Sequence, residues 1–124
     1  MPVVGQGADW ICLDKPAGVG MRAYPWDPGV ADMDAALNAQ LQAEKPELLR
    51  LDAEVFGSAY YLDPVISGLA LFAKNRDGLD VLRNRFGSSE MEFRFLFVAP
   101  AFTGELKRAF RQMRHCCRIT ISRR

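Results

Sequence analysis

Apolar residues along this chain come in short runs and regularly spaced sets. Trp10-Ile11-Cys12-Leu13-Asp14 joins aromatic and β-branched residues into a short strand, which stops where Lys15-Pro16-Ala17-Gly18 imposes a turn. A loop through Pro25, Pro28 and Gly29 leads to Asp32, an N-cap for a helix in which Met33, Ala36, Leu37 and Leu41 fall at helical spacing and which ends before Pro46. The signal from Glu47 to Phe56 is weak. Gly68-Leu69-Ala70-Leu71-Phe72-Ala73 is compact and apolar, the mark of a buried strand. Asn75 then caps a second helix with Leu79, Leu82 and Phe86 on one face, and Gly87 stops it. Met91, Phe93, Phe95 and Phe97 alternate with Glu92, Arg94, Leu96 and Val98 at period two, which predicts a third strand. From Thr103 onward Leu106, Ala109, Phe110 and Met113 share a face opposite Lys107, Arg108, Arg111 and Arg114, which draws a third helix. The expectation is an α+β domain: a mixed or antiparallel sheet with flanking helices.

Composition narrows the class. With 124 residues, 49% hydrophobic and 25% charged, the chain suits one modest core and excludes collagen-like or disordered character. It has no apolar run approaching the ~18 to 20 residues of a membrane span and no secretory leader at its start, so a cytoplasmic location is expected. Cys12, Cys116 and Cys117 make an odd count with two adjacent, which reads as reduced thiols. One histidine, His115, and no CxxC spacing argue against a zinc site or a histidine-assisted nucleophile. The net charge of +1 hides an asymmetry: residues 1–102 carry nine Lys/Arg against fourteen Asp/Glu, a net of −5, and residues 103–124 carry seven against one, a net of +6. A basic end of that kind can contact a polyanion by counterion release, or serve only as a soluble terminus.

Two segments invite a chemical reading. Gly18-Val19-Gly20-Met21-Arg22-Ala23 spells GxGxxA after a strand, the variant dinucleotide fingerprint, but Pro25 and Pro28 stand where the required helix should run, so these glycines are expected to serve a turn. In Tyr60-Tyr61-Leu62-Asp63-Pro64-Val65-Ile66-Ser67-Gly68 one carboxylate sits among apolar and aromatic residues just ahead of a buried strand. A loop carboxylate positioned by a rigid strand can act as nucleophile or base; equally, an aspartate before a proline starts a turn.

Tyr60 to Gly68, running on into Leu69-Ala70-Leu71-Phe72-Ala73-Lys74-Asn75, resembles the catalytic segment of the RluA-type pseudouridine synthases, worded HRLDxxTSG and followed by apolar residues and AK. Leu62, Asp63, Ser67, Gly68, Ala73 and Lys74 fall into register. Leu13-Asp14-Lys15-Pro16-Ala17-Gly18 is similar to that family's early strand and KPAG turn, and Glu92 to Val98 to its strand after the helix. The resemblance covers roughly residues 8 to 99. It implies a partial pseudouridine synthase catalytic domain over residues 1–102, with residues 103–124 a basic C-terminal tail outside the likeness. It also implies isomerisation of uridine in rRNA or tRNA without a cofactor, on a base flipped out of its stack. Asp63 inherits the role of catalytic carboxylate, and Tyr61, Ser67, Gly68 and Phe95 form the surrounding substrate-binding shell. Lys15 and the basic residues of the tail are the candidate phosphate contacts, although such a charge is more often simply solvated.

The departures are specific. Tyr60-Tyr61 stands where the family has His-Arg, so the arginine that enters the space left by the flipped base is absent; a tyrosine stacks on bases but brings no cation. Ile66 replaces the family threonine, and Phe95 replaces a tyrosine, keeping the stacking face and losing the phenol. A GRxHQIR-like stretch has no counterpart after Phe102, where the chain turns basic as a truncated or frame-altered reading would. The alternative expectation is therefore an RNA-binding remnant of the family without catalysis.

Overall fold

The computed structural model describes residues 2–96. Their elements, in chain order, are β1 (Val3–Gln6), β2 (Trp10–Lys15), α1 (Met33–Gln42), α2 (Pro46–Leu49), β3 (Gly57–Ser58), β4 (Gly68–Ala73) and α3 (Arg76–Gly87). The four strands make one sheet in the order β1-β2-β4-β3. Every pairing is antiparallel, which settles the α+β expectation in favour of an antiparallel sheet. The chain divides into two compact units, Met1–Asn84 and Arg85–Arg124.

The central pair β2 and β4 sets the register. Trp10 faces Ala73, Ile11 faces Phe72, Leu13 faces Ala70 and Lys15 faces Gly68. Residues directly opposite share a face, so Ile11, Leu13 and Lys15 lie with Phe72, Ala70 and Gly68 on one side of the sheet. That side is the core side: Ile11, Ala70 and Phe72 are fully buried and Leu13 nearly so. The rest of the apolar interior comes from Met21, Met33 and Leu37 of α1, Leu48 of α2, and Phe56, Tyr60 and Leu62 of the segment before β4. Burying side chains of this size contributes roughly 1.5 to 3 kcal/mol each.

Helix α1 begins as its sequence directs. Asp32 is extended at φ −125° and its carboxylate accepts from the Ala35 amide at 2.7 Å, satisfying one of the donors that a helix start leaves open. It stops at Gln42, ahead of Pro46, which opens the single turn of α2. Of the expected apolar face Met33 and Leu37 are buried, while Ala36 is exposed. Asn38 turns its side chain onto the chain entering β3: its amide nitrogen donates to the Phe56 carbonyl at 3.0 Å and its oxygen accepts from the Phe56 amide at 2.9 Å. One side chain thus replaces a missing strand partner.

Helix α3 is capped by Asn75, whose oxygen accepts from the Gly78 amide at 2.7 Å, as the sequence predicts. The same side chain donates to Asp9 at 2.8 Å, fastening the helix start to the β1–β2 turn. Gly78 is required there, since a Cβ would lie 2.6 Å from the Asp9 carbonyl oxygen. Beyond this anchor the helix is lightly covered: Leu79 and Leu82 are half-buried and Phe86 is 45% exposed.

Three expectations change. β1, α2 and β3 were not legible and are added. Residues 91–96 form no strand, and among the described residues no strand pairs with them, while Phe97 and Val98 of the expected strand lie outside the described residues; the alternation survives as a stack, with the Phe93 and Phe95 rings 6.4 Å apart and nearly parallel and Phe86 edge-on to Phe93 at 6.1 Å. The third helix, the basic tail with Cys116, Cys117 and His115, and the boundary at residue 102 lie outside the described residues.

Candidate functional site

Because β2 and β4 are antiparallel, the exit of β2 and the entry to β4 emerge at one end of the sheet. The KPAG turn and the Leu62-Asp63-Pro64 loop are thereby neighbours, although some fifty residues separate them. Two bonds stitch them together: the Gly18 amide donates to the Pro64 carbonyl at 2.7 Å, and the Lys15 ammonium donates to the same carbonyl at 3.2 Å. Gly18 sits at φ +90°, a conformation that its lack of a Cβ permits and that aims its N–H across the gap.

Lys15, the candidate phosphate contact, is fully buried. Its three ammonium hydrogens meet three backbone carbonyls, those of Pro16 at 3.0 Å, Val19 and Pro64. A group so enclosed has no donor left for a phosphate. It is a strut that ties the KPAG turn to the aspartate loop. Burial pushes the ammonium pKa down, and the Asp63 carboxylate pushes it back up, so the strut and the candidate catalytic group sense one another electrostatically.

Asp63 is half-buried at the start of a tight turn. One carboxylate oxygen accepts from the Val65 amide at 3.1 Å and its carbonyl accepts from Ile66 at 2.9 Å. The aspartate does start a turn, and that turn leads into β4. Ser67 is exposed and Gly68, at φ +127°, opens β4 opposite Lys15.

The two tyrosines before Asp63 have different roles. Tyr60 is buried, and its hydroxyl accepts from the Leu71 amide at 2.9 Å and lies 3.5 Å from the Leu69 carbonyl. β3 pairs with β4 only at Ala73 and Phe72, so this phenol continues the ladder where the backbone has left it. Burial raises the Tyr60 pKa. Tyr61 is exposed, and the guanidinium of Arg22 lies over its ring, 5.9 Å from the centroid. Its pKa is raised by burial first and by the neighbouring charges of Asp63 and Tyr24, with Arg22 pulling the other way.

Of the residues expected at the site, Tyr61, Asp63, Ser67, Gly68 and Lys15 share this end of the sheet, Lys15 beneath it. Phe95 belongs to the unit Arg85–Arg124, in the phenylalanine stack. The sequence reading passed over Arg22 and Tyr24. Arg22 lay inside the GxGxxA spelling, and its only signal was its rarity, as the one arginine before Arg50. Of the glycines in that spelling, Gly18 lies in the turn after β2, Gly20 bridges to Asp32 with its amide donating to Ala31 at 2.9 Å, and no helix begins before Met33. Among the described residues no group of histidine, cysteine or carboxylate side chains could hold a metal, and no helix is long and apolar enough to cross a membrane.

The four-stranded antiparallel sheet with its helices is similar in fold to part of a solved structure. It matches the solved structure of Human RNA Pseudouridylate Synthase Domain Containing 4 with a TM-score of 0.53 at 16% identity, over 71% of this chain. The chain spans 30% of the length of that protein. No family model matches the sequence, and no curated protein matches it significantly.

Proposed function

We propose that this chain carries the carboxylate-bearing part of an RNA pseudouridine synthase, with Asp63 as the group that meets the ribose of a flipped uridine. The observation that carries the reading is the joining of the aspartate loop to the KPAG turn through Lys15 and Gly18, which holds a carboxylate at the edge of a sheet of the neighbour's fold. The chemistry asked of Asp63 is modest. A carboxylate fixed by a turn can bond to, or offset the charge of, the electron-poor sugar carbon while the base detaches through nitrogen and rejoins through carbon. Tyr61, Ser67 and Gly68, its neighbours in the same segment, are the substrate-binding residues under this reading. RNA, whether rRNA or tRNA, is the substrate under this reading, and no cofactor takes part.

The test is pseudouridine formation on bulk RNA, wild type beside Asp63→Asn, which keeps shape and removes charge. Conversion in the wild type and loss in the variant is the expected result; equal product from both rejects Asp63. A second reading, an RNA-binding module without turnover, is favoured by Tyr61 in place of the family arginine. It expects salt-sensitive RNA binding with no product from either form.

A further inference from the structure

We propose that Arg22 and Tyr61 together form a two-residue RNA clamp beside Asp63, in which the Tyr61 ring receives a nucleobase and the guanidinium of Arg22 holds a phosphate of the same strand. The inference rests on the reading of the chain as a uridine-modifying RNA protein and adds to it the residues that grip the strand.

The geometry points this way for three reasons. First, the Arg22 guanidinium lies 5.9 Å from the ring centroid, within reach of the ring quadrupole, so a cation and an aromatic ring that is 36% exposed are already held together. Second, both residues are exposed, and among the described residues Arg22 has no ion pair within 4.0 Å. Its donors are therefore available to an external anion, and a guanidinium suits a phosphate better than any other side chain does. Third, the segment that delivers Arg22 is fixed from both sides: the Gly20 amide donates to Ala31 at 2.9 Å, the Met21 carbonyl accepts from Asp34 at 3.0 Å, and Met21 is fully buried between them. Tyr61 lies two residues before Asp63 in the loop that Lys15 fastens, so clamp and carboxylate are carried by the same pair of stitched loops.

A stacked tyrosine with an arginine behind it is a sequence-tolerant way to hold single-stranded RNA. Tyr24, half-buried, and Trp26, which is 83% exposed, extend aromatic character along the same loop.

The experiment measures binding of a single-stranded, uridine-containing oligoribonucleotide against salt concentration, with pseudouridine formation followed in parallel, for the full chain and for Arg22→Met, Arg22→Lys, Tyr61→Leu and Asp63→Asn. Arg22→Met should weaken binding about tenfold at low salt and flatten the slope of log affinity against log salt by about 0.7, the value of one phosphate contact on a single strand. Arg22→Lys should restore the slope but not the full affinity, because an ammonium keeps the charge and loses the fork. Tyr61→Leu should weaken binding about tenfold with the slope unchanged. A salt slope identical in wild type and Arg22→Met overturns the clamp, whatever Asp63→Asn does to turnover. Binding that depends on Arg22 and Tyr61 while Asp63→Asn leaves product formation intact rejects Asp63 alone and supports the clamp. A full chain that binds no RNA overturns the clamp and the functional reading together.

Discussion

The residues that decide this site are lysine, aspartate and tyrosine side chains committed to backbone partners. Lys15 spends all three donors on carbonyls, so the charged form is the one the loops are built around. Its pKa is nonetheless depressed by burial and partly restored by Asp63. Removing the carboxylate with Asp63→Asn removes the restoring influence, and the Lys15 pKa is expected to fall further, which the side-chain nitrogen resonance of a labelled sample reports on titration; an unchanged Lys15 curve would disprove the coupling. Tyr60 gives a second test. Its folded pKa is raised above the ordinary value of 10.0, so its contribution is fully present below that value and is lost as pH climbs through the raised one. Denaturant midpoints should fall on the alkaline side in the wild type and lose this component in Tyr60→Phe. At neutral pH that variant leaves the Leu71 amide without its phenol partner, at a cost of about 1 to 3 kcal/mol.

At the scale of elements, what could be read in the sequence followed from local chemistry. Asp32 and Asn75 cap because their side chains reach an amide three residues on, and β2 and β4 are strands because β-branched and aromatic residues face a core. Elements that depend on distant partners were hidden. β1, VVGQ, has little pattern and exists because β2 offers it an edge; β3 is two residues held partly by Asn38. The reverse error at 91–96 is of the same kind, since among the described residues no strand pairs with this alternation, which makes a ring stack and no ladder. At the site, the Asp63 loop was visible from its motif, while Lys15 looked like a surface cation because nothing local shows that Val19 and Pro64 would close over it. The start of α3 provides a test of local packing. Gly78→Ala would set a Cβ 2.6 Å from the Asp9 carbonyl, and overpacking of this kind costs about 1 to 3 kcal/mol. Gly87→Ala, in the same helix with nothing near its Cβ, should change stability by less than about 0.5 kcal/mol in the same thermal melts.

For the molecule as a whole, the unit Met1–Asn84 contains every residue of the apolar core described here, with Ile11 and Phe72 opposite one another at its centre. A net stability of about 0.05 to 0.15 kcal/mol per residue gives a unit of this size about 4 to 13 kcal/mol. Phe72→Ala removes an aromatic side chain from a fully buried position, at a cost of about 3 to 5 kcal/mol, comparable with the lower end of that range. The expected outcome is a chain without a cooperative denaturation transition. Ile11→Val, on the facing strand, costs about 0.5 to 1.5 kcal/mol and should leave a sigmoidal curve with a lowered midpoint. The pair separates folding from function, because Asp63, Tyr61 and Arg22 lie outside this core and their substitution should leave the transition near its original midpoint. If Phe72→Ala keeps a full cooperative transition, the β2–β4 pairing is not what holds the aspartate loop against the KPAG turn, and the placement of Asp63 must be explained by another part of the chain.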